Sequence, residues 1–145
     1  MPKKFTNLVK TNVMKKIVVV IGVFLSLQCR SQALLGPEMN QVGMIKPDGT
    51  VLDEAGKLAG RIKKDGMVTD KQSIITGYIK DDGAIENEKH SAVGYVQNDG
   101  SILDKDKKVI GYIKEGVVSS ANNETIGYAK GVPVKWAAVY YFFLF

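Results

Sequence analysis

From about residue 41 onward, apolar and polar positions follow a short cycle that recurs along the chain. Glycines that open an apolar-alternating stretch fall at 43, 60, 77, 94, 111 and 127, at spacings of 17, 17, 17, 17 and 16. The units read GMIKPDGTVLDEAGKLA, GRIKKDGMVTDKQSIIT, GYIKDDGAIENEKHSAV, GYVQNDGSILDKDKKVI and GYIKEGVVSSANNETI, and a sixth opening, GYAKGVPV, leads into residues 134–145. A fixed period of this kind marks a repeat architecture. Seventeen residues are too few for a two-helix unit and suit two short strands with two turns.

The first turn of each unit can be typed. Lys46-Pro47-Asp48-Gly49 has proline where a type I turn wants it and glycine where a left-handed residue is needed, which predicts a three-residue hairpin loop with a glycine bulge. Closing that loop sets Ile45 opposite Val51, Ile62 opposite Val68, Ile79 opposite Ile85 and Val96 opposite Ile102. The fifth unit is one residue shorter, and a two-residue Glu115-Gly116 loop still sets Ile113 opposite Val118. The deletion is absorbed in the turn, because a slip elsewhere would carry the apolar set to the wrong face. These ten residues are the predicted core.

The second turn opens with Asp53, Asp70, Asn87, Asp104 and Ser120, side chains that bond their own backbone shortly ahead. In the return strand, Leu58-Gly60-Ile62, Ile75-Gly77-Ile79, Ala92-Gly94-Val96 and Val109-Gly111-Ile113 place apolar, glycine, apolar on one face. A mid-strand glycine calls for a close backbone neighbour or a bend. Convergence of equivalent strands on a common axis supplies the first, and a bulge is the competing explanation. The opposite face carries Met44, Arg61, Tyr78, Tyr95, Tyr112 and Tyr128. That tyrosine column reads as packing between hairpins with wet hydroxyls, and Tyr78, Tyr95, Tyr112 and Tyr128 form the candidate binding surface should it instead stack a ligand.

Residues 134–145, VKWAAVYYFFLF, are almost wholly apolar and leave the repeat. Strands of roughly four to seven residues are too short for an outer-membrane barrel, which needs about 9–11 per strand. The expectation is a closing strand or plug that supplies apolar bulk the repeats lack.

The first 33 residues differ from the rest. Five lysines up to Lys16 precede an apolar run from Ile17 to Leu27 with no acidic residue among them, which is the form of a signal peptide and too short for a membrane-spanning helix of about 20 residues. Met14 offers an alternative start, and Ser31-Gln32-Ala33 predicts cleavage before Leu34. The organisation expected is therefore a signal peptide over 1–33, a lead-in segment over 34–42, five hairpin units over 43–126 and a closing repeat with an apolar strand over 127–145.

That division changes the reading of charge. The chain has 20 Lys+Arg and 15 Asp+Glu, but six of the basic residues lie in 1–33, which leaves 14 against 15 in the remainder. The basic balance belongs to the leader and gives no argument for nucleic acid. Cys29, the only cysteine, also lies in the leader, so the exported part has no disulfide, thiolate nucleophile or cysteine metal site. A lipid on Cys29 is the minority alternative, because Gln28 stands where such a signal wants a small residue.

With G-Y-I-K-x-D-G units at a seventeen-residue period and the ending Ala137-Ala138-Val139-Tyr140-Tyr141-Phe142-Phe143, the chain resembles the five-fold β-flower proteins, small secreted proteins found largely in Bacteroidota. The resemblance covers about residues 40–145. It implies a five-fold arrangement of β-hairpins around a central axis and implies no activity. Met44 and Arg61 in place of tyrosine, and the shortened fifth turn, depart from the pattern.

Catalytic chemistry is not legible. His90 is the only histidine and sits in a second turn without counterparts, the place of a solvated loop side chain rather than of a base or ligand. The Asp-Gly pairs at 48, 65, 82 and 99 are single carboxylates in tight turns, whereas calcium takes six to eight oxygens. No phosphate-binding loop is present. The fold class expected is all-β, and the function expected is that of a non-catalytic, exported structural or partner-binding module of the cell envelope. The alternative is a glycan- or cell-wall-binding repeat using the tyrosine column. Neither a cofactor nor a nucleic-acid partner is expected, and oligomeric state is not readable.

Overall fold

The computed structural model describes residues 32–145. The signal segment, the alternative start at Met14 and Cys29 lie outside the described residues, except for Gln32 and Ala33 at the segment's end. Twelve strands follow: β1 (Gln32–Leu35), β2 (Gln41–Ile45), β3 (Thr50–Asp53), β4 (Leu58–Ile62), β5 (Met67–Asp70), β6 (Ile75–Ile79), β7 (Ala84–Asn87), β8 (Ala92–Val96), β9 (Ser101–Asp104), β10 (Val109–Lys114), β11 (Val117–Ser120) and β12 (Thr125–Tyr128). Each pairs antiparallel with its neighbours in sequence, and β1 pairs β12, so the sheet closes into a barrel. Closure removes every exposed strand edge.

The all-β class and the register stand as the turn chemistry predicts. Ile45 lies opposite Val51, Ile62 opposite Val68, Ile79 opposite Ile85, Val96 opposite Ile102, and Ile113 opposite Val118. All ten are buried. In the shortened fifth turn Glu115 and Gly116 both take positive φ, 52° and 79°, the geometry of a two-residue hairpin turn whose twist matches its strands. The turn glycines also tie units together. The carbonyl of Gly49 accepts from Ile62 N–H at 2.8 Å, and Gly66, Gly83, Gly100 and Gly116 accept likewise from Ile79, Val96, Ile113 and Ala129.

Three expectations are corrected. The first concerns closure, which is not made by a C-terminal strand. It is made by β1 against β12, with Leu35 opposite Tyr128. The lead-in segment 34–42 is part of the wall: after β1 its turn carries the bonds Gly36 N–H to Asn40 O (2.8 Å) and Met39 N–H to Gly36 O (3.0 Å), as the second turn at Asp53 does between Asp53 and Lys57 and between Gly56 and Asp53. Gln32 and Ala33, upstream of the expected cut before Leu34, pair with Ile45 and Met44.

The second correction concerns faces. After each second turn the ladder slips by one residue: Val51 lies opposite Gly60 but Leu52 opposite Leu58, which leaves Ala59 as the extra residue of a bulge. The same slip occurs at the corresponding place in the other return strands. In consequence Leu58 turns outward, 39% exposed. The residues just before the glycines, Val42, Ala59, Val93, Ile110 and Ile126, pack against the core instead.

The third correction is to the strand expected of the apolar tail, which takes the other form expected of it, a plug. Residues Val134–Ala138 form α1, followed by a π-helical turn over Val139–Phe143. Eight strands already make a barrel whose own side chains fill it, so twelve leave a lumen. A lone strand there would leave its backbone groups unpaired, whereas a helix satisfies its own. Ala137, Ala138 and Val139 are fully buried among the branched aliphatics of the wall, while Val134 at the start of α1 is 41% exposed.

Candidate functional site

The mid-strand glycines are explained by what faces them. A methyl group added at Gly43 would strike Tyr140, at Gly127 Tyr141, at Gly111 Phe142, at Gly94 Phe143, at Gly77 Leu144 and at Gly60 Phe145. Six consecutive residues thus address six strand glycines, and they do so in order around the barrel, from β2 through β12, β10, β8 and β6 to β4. An α-helix turns about 100° per residue, while six equally spaced strands call for about 60°. Bonding from i to i+5 gives a wider turn with a smaller step, and Leu144 N–H does bond Val139 O at 2.9 Å. The result is a rosette of large side chains at the second-turn end of the barrel. Each of Tyr140–Leu144 is half-buried, and Phe145 is 42% exposed.

The two tyrosines of the rosette are fixed through their hydroxyls. Tyr140 donates to Val42 O at 2.7 Å. The Tyr141 hydroxyl lies 2.9 Å from Leu35 O and 3.1 Å from Tyr128 O. Burial raises the Tyr140 phenol above its usual range, helped by Asp53 and Glu54. Burial pushes the Tyr141 phenol up to about 12.

Around the rosette the rim is apolar in places. Of the five large hydrophobic side chains exposed among the described residues, Met39 (61%), Ile74 (59%), Leu58 and Phe145 lie at this end, and only Val134 lies elsewhere. Met39 and Ile74 belong to second turns. Those turns are set by side chains as expected: Asp53, Asp70, Asn87 and Asp104 each accept two backbone N–H groups ahead, at 2.8–3.0 Å.

The tyrosine column sits on the outer wall, with Tyr78, Tyr95, Tyr112 and Tyr128 half-buried on successive return strands. The structure does not bring them into one cleft. Tyr78 is stacked on His90 with centroids 4.3 Å apart, Lys107 Nζ lies 5.8 Å from the Tyr95 ring centre, and Lys114 Nζ lies 5.3 Å from that of Tyr112. Three ring faces are thus engaged by the chain's own side chains. His90 also meets Glu86 at 3.2 Å. Among the described residues no group of three or more His, Cys, Asp or Glu is arranged to hold a metal.

In the first turns the Asp-Gly carboxylates serve the turn. Asp48, Asp65, Asp82 and Asp99 each accept the backbone N–H two residues on, at 2.9–3.0 Å. The backbone N–H of Thr50 holds Asp48, and that of Ser101 holds Asp99, below the usual carboxylate range. At this end α1 fills the barrel mouth only in part. It leaves one groove of about 480 Å³ bordered by Gln97, Asp99, Lys114 and Glu115, and another of about 250 Å³ bordered by Lys63, Lys64, Lys80 and Trp136. No helix among the described residues is long and apolar enough to cross a membrane.

Sequence reasoning singled out the tyrosine column and passed over Trp136 and the rosette. The signal was present in the glycines. A recess repeated on the inner face of every unit needs an occupant, and residues 134–145 are the one apolar stretch downstream of the leader that lies outside the repeat.

Comparison with known proteins agrees with this architecture. A family model described as 5-fold beta-flower protein matches residues 31–145. No curated protein and no solved structure matches the chain. Because the family match spans most of the sequence, the chain belongs to the 5-fold beta-flower family.

Proposed function

We propose that this chain is an exported, non-catalytic module that engages a protein partner through the aromatic end of its barrel. The observation that carries the reading is that four of the five exposed large hydrophobic side chains among the described residues, Met39, Leu58, Ile74 and Phe145, lie at the rosette end. Exposed apolar side chains concentrated at one end among polar turns are a form an interaction site takes. Export rests on the lysine-rich start and the apolar run Ile17–Leu27. The pairing of Gln32 and Ala33 with Ile45 and Met44 supports a cut upstream of Gln32 over one before Leu34, and mass spectrometry of the exported form reads the boundary directly. The repeat we infer is five hairpins of about seventeen residues, with a sixth antiparallel pair assembled from β12 and β1 at the two ends of the wall.

A photo-crosslinking residue placed at Ile74 or Met39 tests the contact in the producing cell. Crosslinked species are expected from both positions and not from Tyr112 on the outer wall. Equal yields from the wall and the end face would overturn the assignment. The glycan reading based on the tyrosine column has less support, because Tyr78, Tyr95 and Tyr112 already carry His90, Lys107 and Lys114 against their rings.

A further inference from the structure

The two grooves beside α1 share Val134 and Lys135 and differ in charge. The larger has two acidic residues, Asp99 and Glu115, against Lys114 and Lys135, and is balanced. The smaller has Lys63, Lys64, Lys80 and Lys135 against Asp81 alone, a net of three positive charges in its lining, on a barrel that over residues 32–145 carries 14 basic and 15 acidic side chains. Two further carboxylates, Asp65 and Asp82, stand on those turns outside the groove lining and keep their charge. Asp65 accepts from Met67 N–H and Asp82 from Ala84 N–H, each at 3.0 Å. Lys135 is held in place by Lys80 O at 3.2 Å and Asp81 O at 2.7 Å. An ammonium has three donors, so one remains for a ligand. Trp136, the only tryptophan of the chain, is half-buried at the same groove beside Pro133 and Ile79.

We propose that this groove binds an anionic saccharide unit, with the Trp136 indole against the sugar ring and Lys63, Lys64 and Lys135 around its carboxylate or phosphate. Tryptophan supplies a large apolar surface with a polar edge, which matches a pyranose better than it matches a bare anion. Lysine binds acidic groups as a point charge without demanding one geometry, so carboxylate and phosphate are equally served. Pockets that enclose a drug-sized ligand run to about 300–1,000 Å³. At about 250 Å³ and open along one side, this groove takes one ring of a longer chain and does not enclose a cofactor. The site lies at the first-turn end, opposite the rosette, so it stands or falls separately from the partner contact proposed above.

Because Trp136 is the sole tryptophan, its fluorescence reports on the groove directly. The full exported chain is titrated with a uronic-acid trisaccharide, with a sugar phosphate, with a neutral trisaccharide and with inorganic phosphate. A saturable change with the first, the second or both is expected, and whichever responds identifies the acidic group. The neutral sugar and inorganic phosphate should leave the emission unchanged at the same concentrations. Reversing two exposed charges, Lys63→Glu with Lys64→Glu, should weaken binding about tenfold or more, which is about 1.4 kcal/mol or more. Lys114→Glu in the balanced groove should leave it unaltered. The proposal is overturned by a flat titration with both acidic sugars, by an equal response to the neutral one, or by an unchanged affinity in the Lys63/Lys64 variant whose circular dichroism matches the parent.

Discussion

The wall of the barrel and the segment on its axis solve the same packing problem in opposite ways. The wall repeats: each hairpin turns two branched aliphatics inward, and the pairs from Ile45/Val51 to Ile113/Val118 are interchangeable in kind. The axial residues do not repeat, yet Tyr140–Phe145 meet six glycines one by one. The wall is specified by period and turn chemistry, and the axis by fit. A barrel of twelve strands is too wide for its own inward side chains to fill. The glycines and the aromatics are therefore one feature divided between two parts of the sequence.

The harshest way to break the comparison is in the wall. Ile79→Asp would bury a charge without a partner at a position paired with Ile85, a cost of several kcal/mol against a total stability of about 5–15 kcal/mol. Loss of the folded state is expected by circular dichroism, and an unchanged melting temperature would refute the inward register. The fit between wall and axis is probed more finely at Gly94. A methyl group there meets the Phe143 ring, and it approaches Leu103 O at 2.6 Å, so Gly94→Ala should cost about 1–3 kcal/mol by overpacking. Phe143→Ala should cost about 2 kcal/mol, below the figure for a fully buried ring because Phe143 is half-exposed. Combined, the two should cost less than their sum by about 0.5 kcal/mol or more. The relief is partial because the carbonyl of Leu103 remains. Strict additivity in denaturant titrations would mean that the ring does not occupy the glycine recess.

Those positions also mark what a reader of the sequence can and cannot see. Ile45/Val51 and its counterparts are legible because turn length and strand period leave one register that keeps every branched side chain on one face. The shortened Glu115-Gly116 turn is legible for the same reason. The bulge is not, since Leu58 and Ala59 are both apolar enough to face inward and only the slipped ladder decides between them. Residues 134–145 mislead through composition. Val139 to Phe145 is a run of β-branched and aromatic residues that favours a strand on propensity, and burial on the axis overrides that preference. β1 hides for a different reason: Gln32-Ala33-Leu34-Leu35 is half a unit, and its other half, β12, stands at the far end of the wall. Trp136 was invisible as a site residue because its lysine neighbours come from turns more than 50 residues away in sequence, joined through Lys135.

The smallest of the expected effects falls where wall and axis meet the seam of the barrel. β1 and β12 share a single paired position, Leu35 with Tyr128, and the Tyr141 hydroxyl lies within hydrogen-bonding distance of the carbonyls of both residues. One axial side chain therefore clasps the two ends of the wall. Tyr141→Phe keeps the ring beside Gly127 and removes only the donor, so the global cost is that of one ordinary hydrogen bond, about 1 kcal/mol. The local signature is more telling. Amide exchange should accelerate in β1 and β12 and stay unchanged in β6–β9, because only the seam loses its clasp. Alkali gives a second reading. A folded phenol pushed up to about 12 against about 10 in the unfolded chain favours the neutral form in the native state. Its contribution is complete below about pH 10 and is lost as pH rises towards 12. In Tyr141→Phe that part of the alkaline fall should vanish, leaving the share due to Tyr140. Uniform acceleration of exchange in all twelve strands would show that the hydroxyl acts on the barrel as a whole and that the seam has no separate stability of its own.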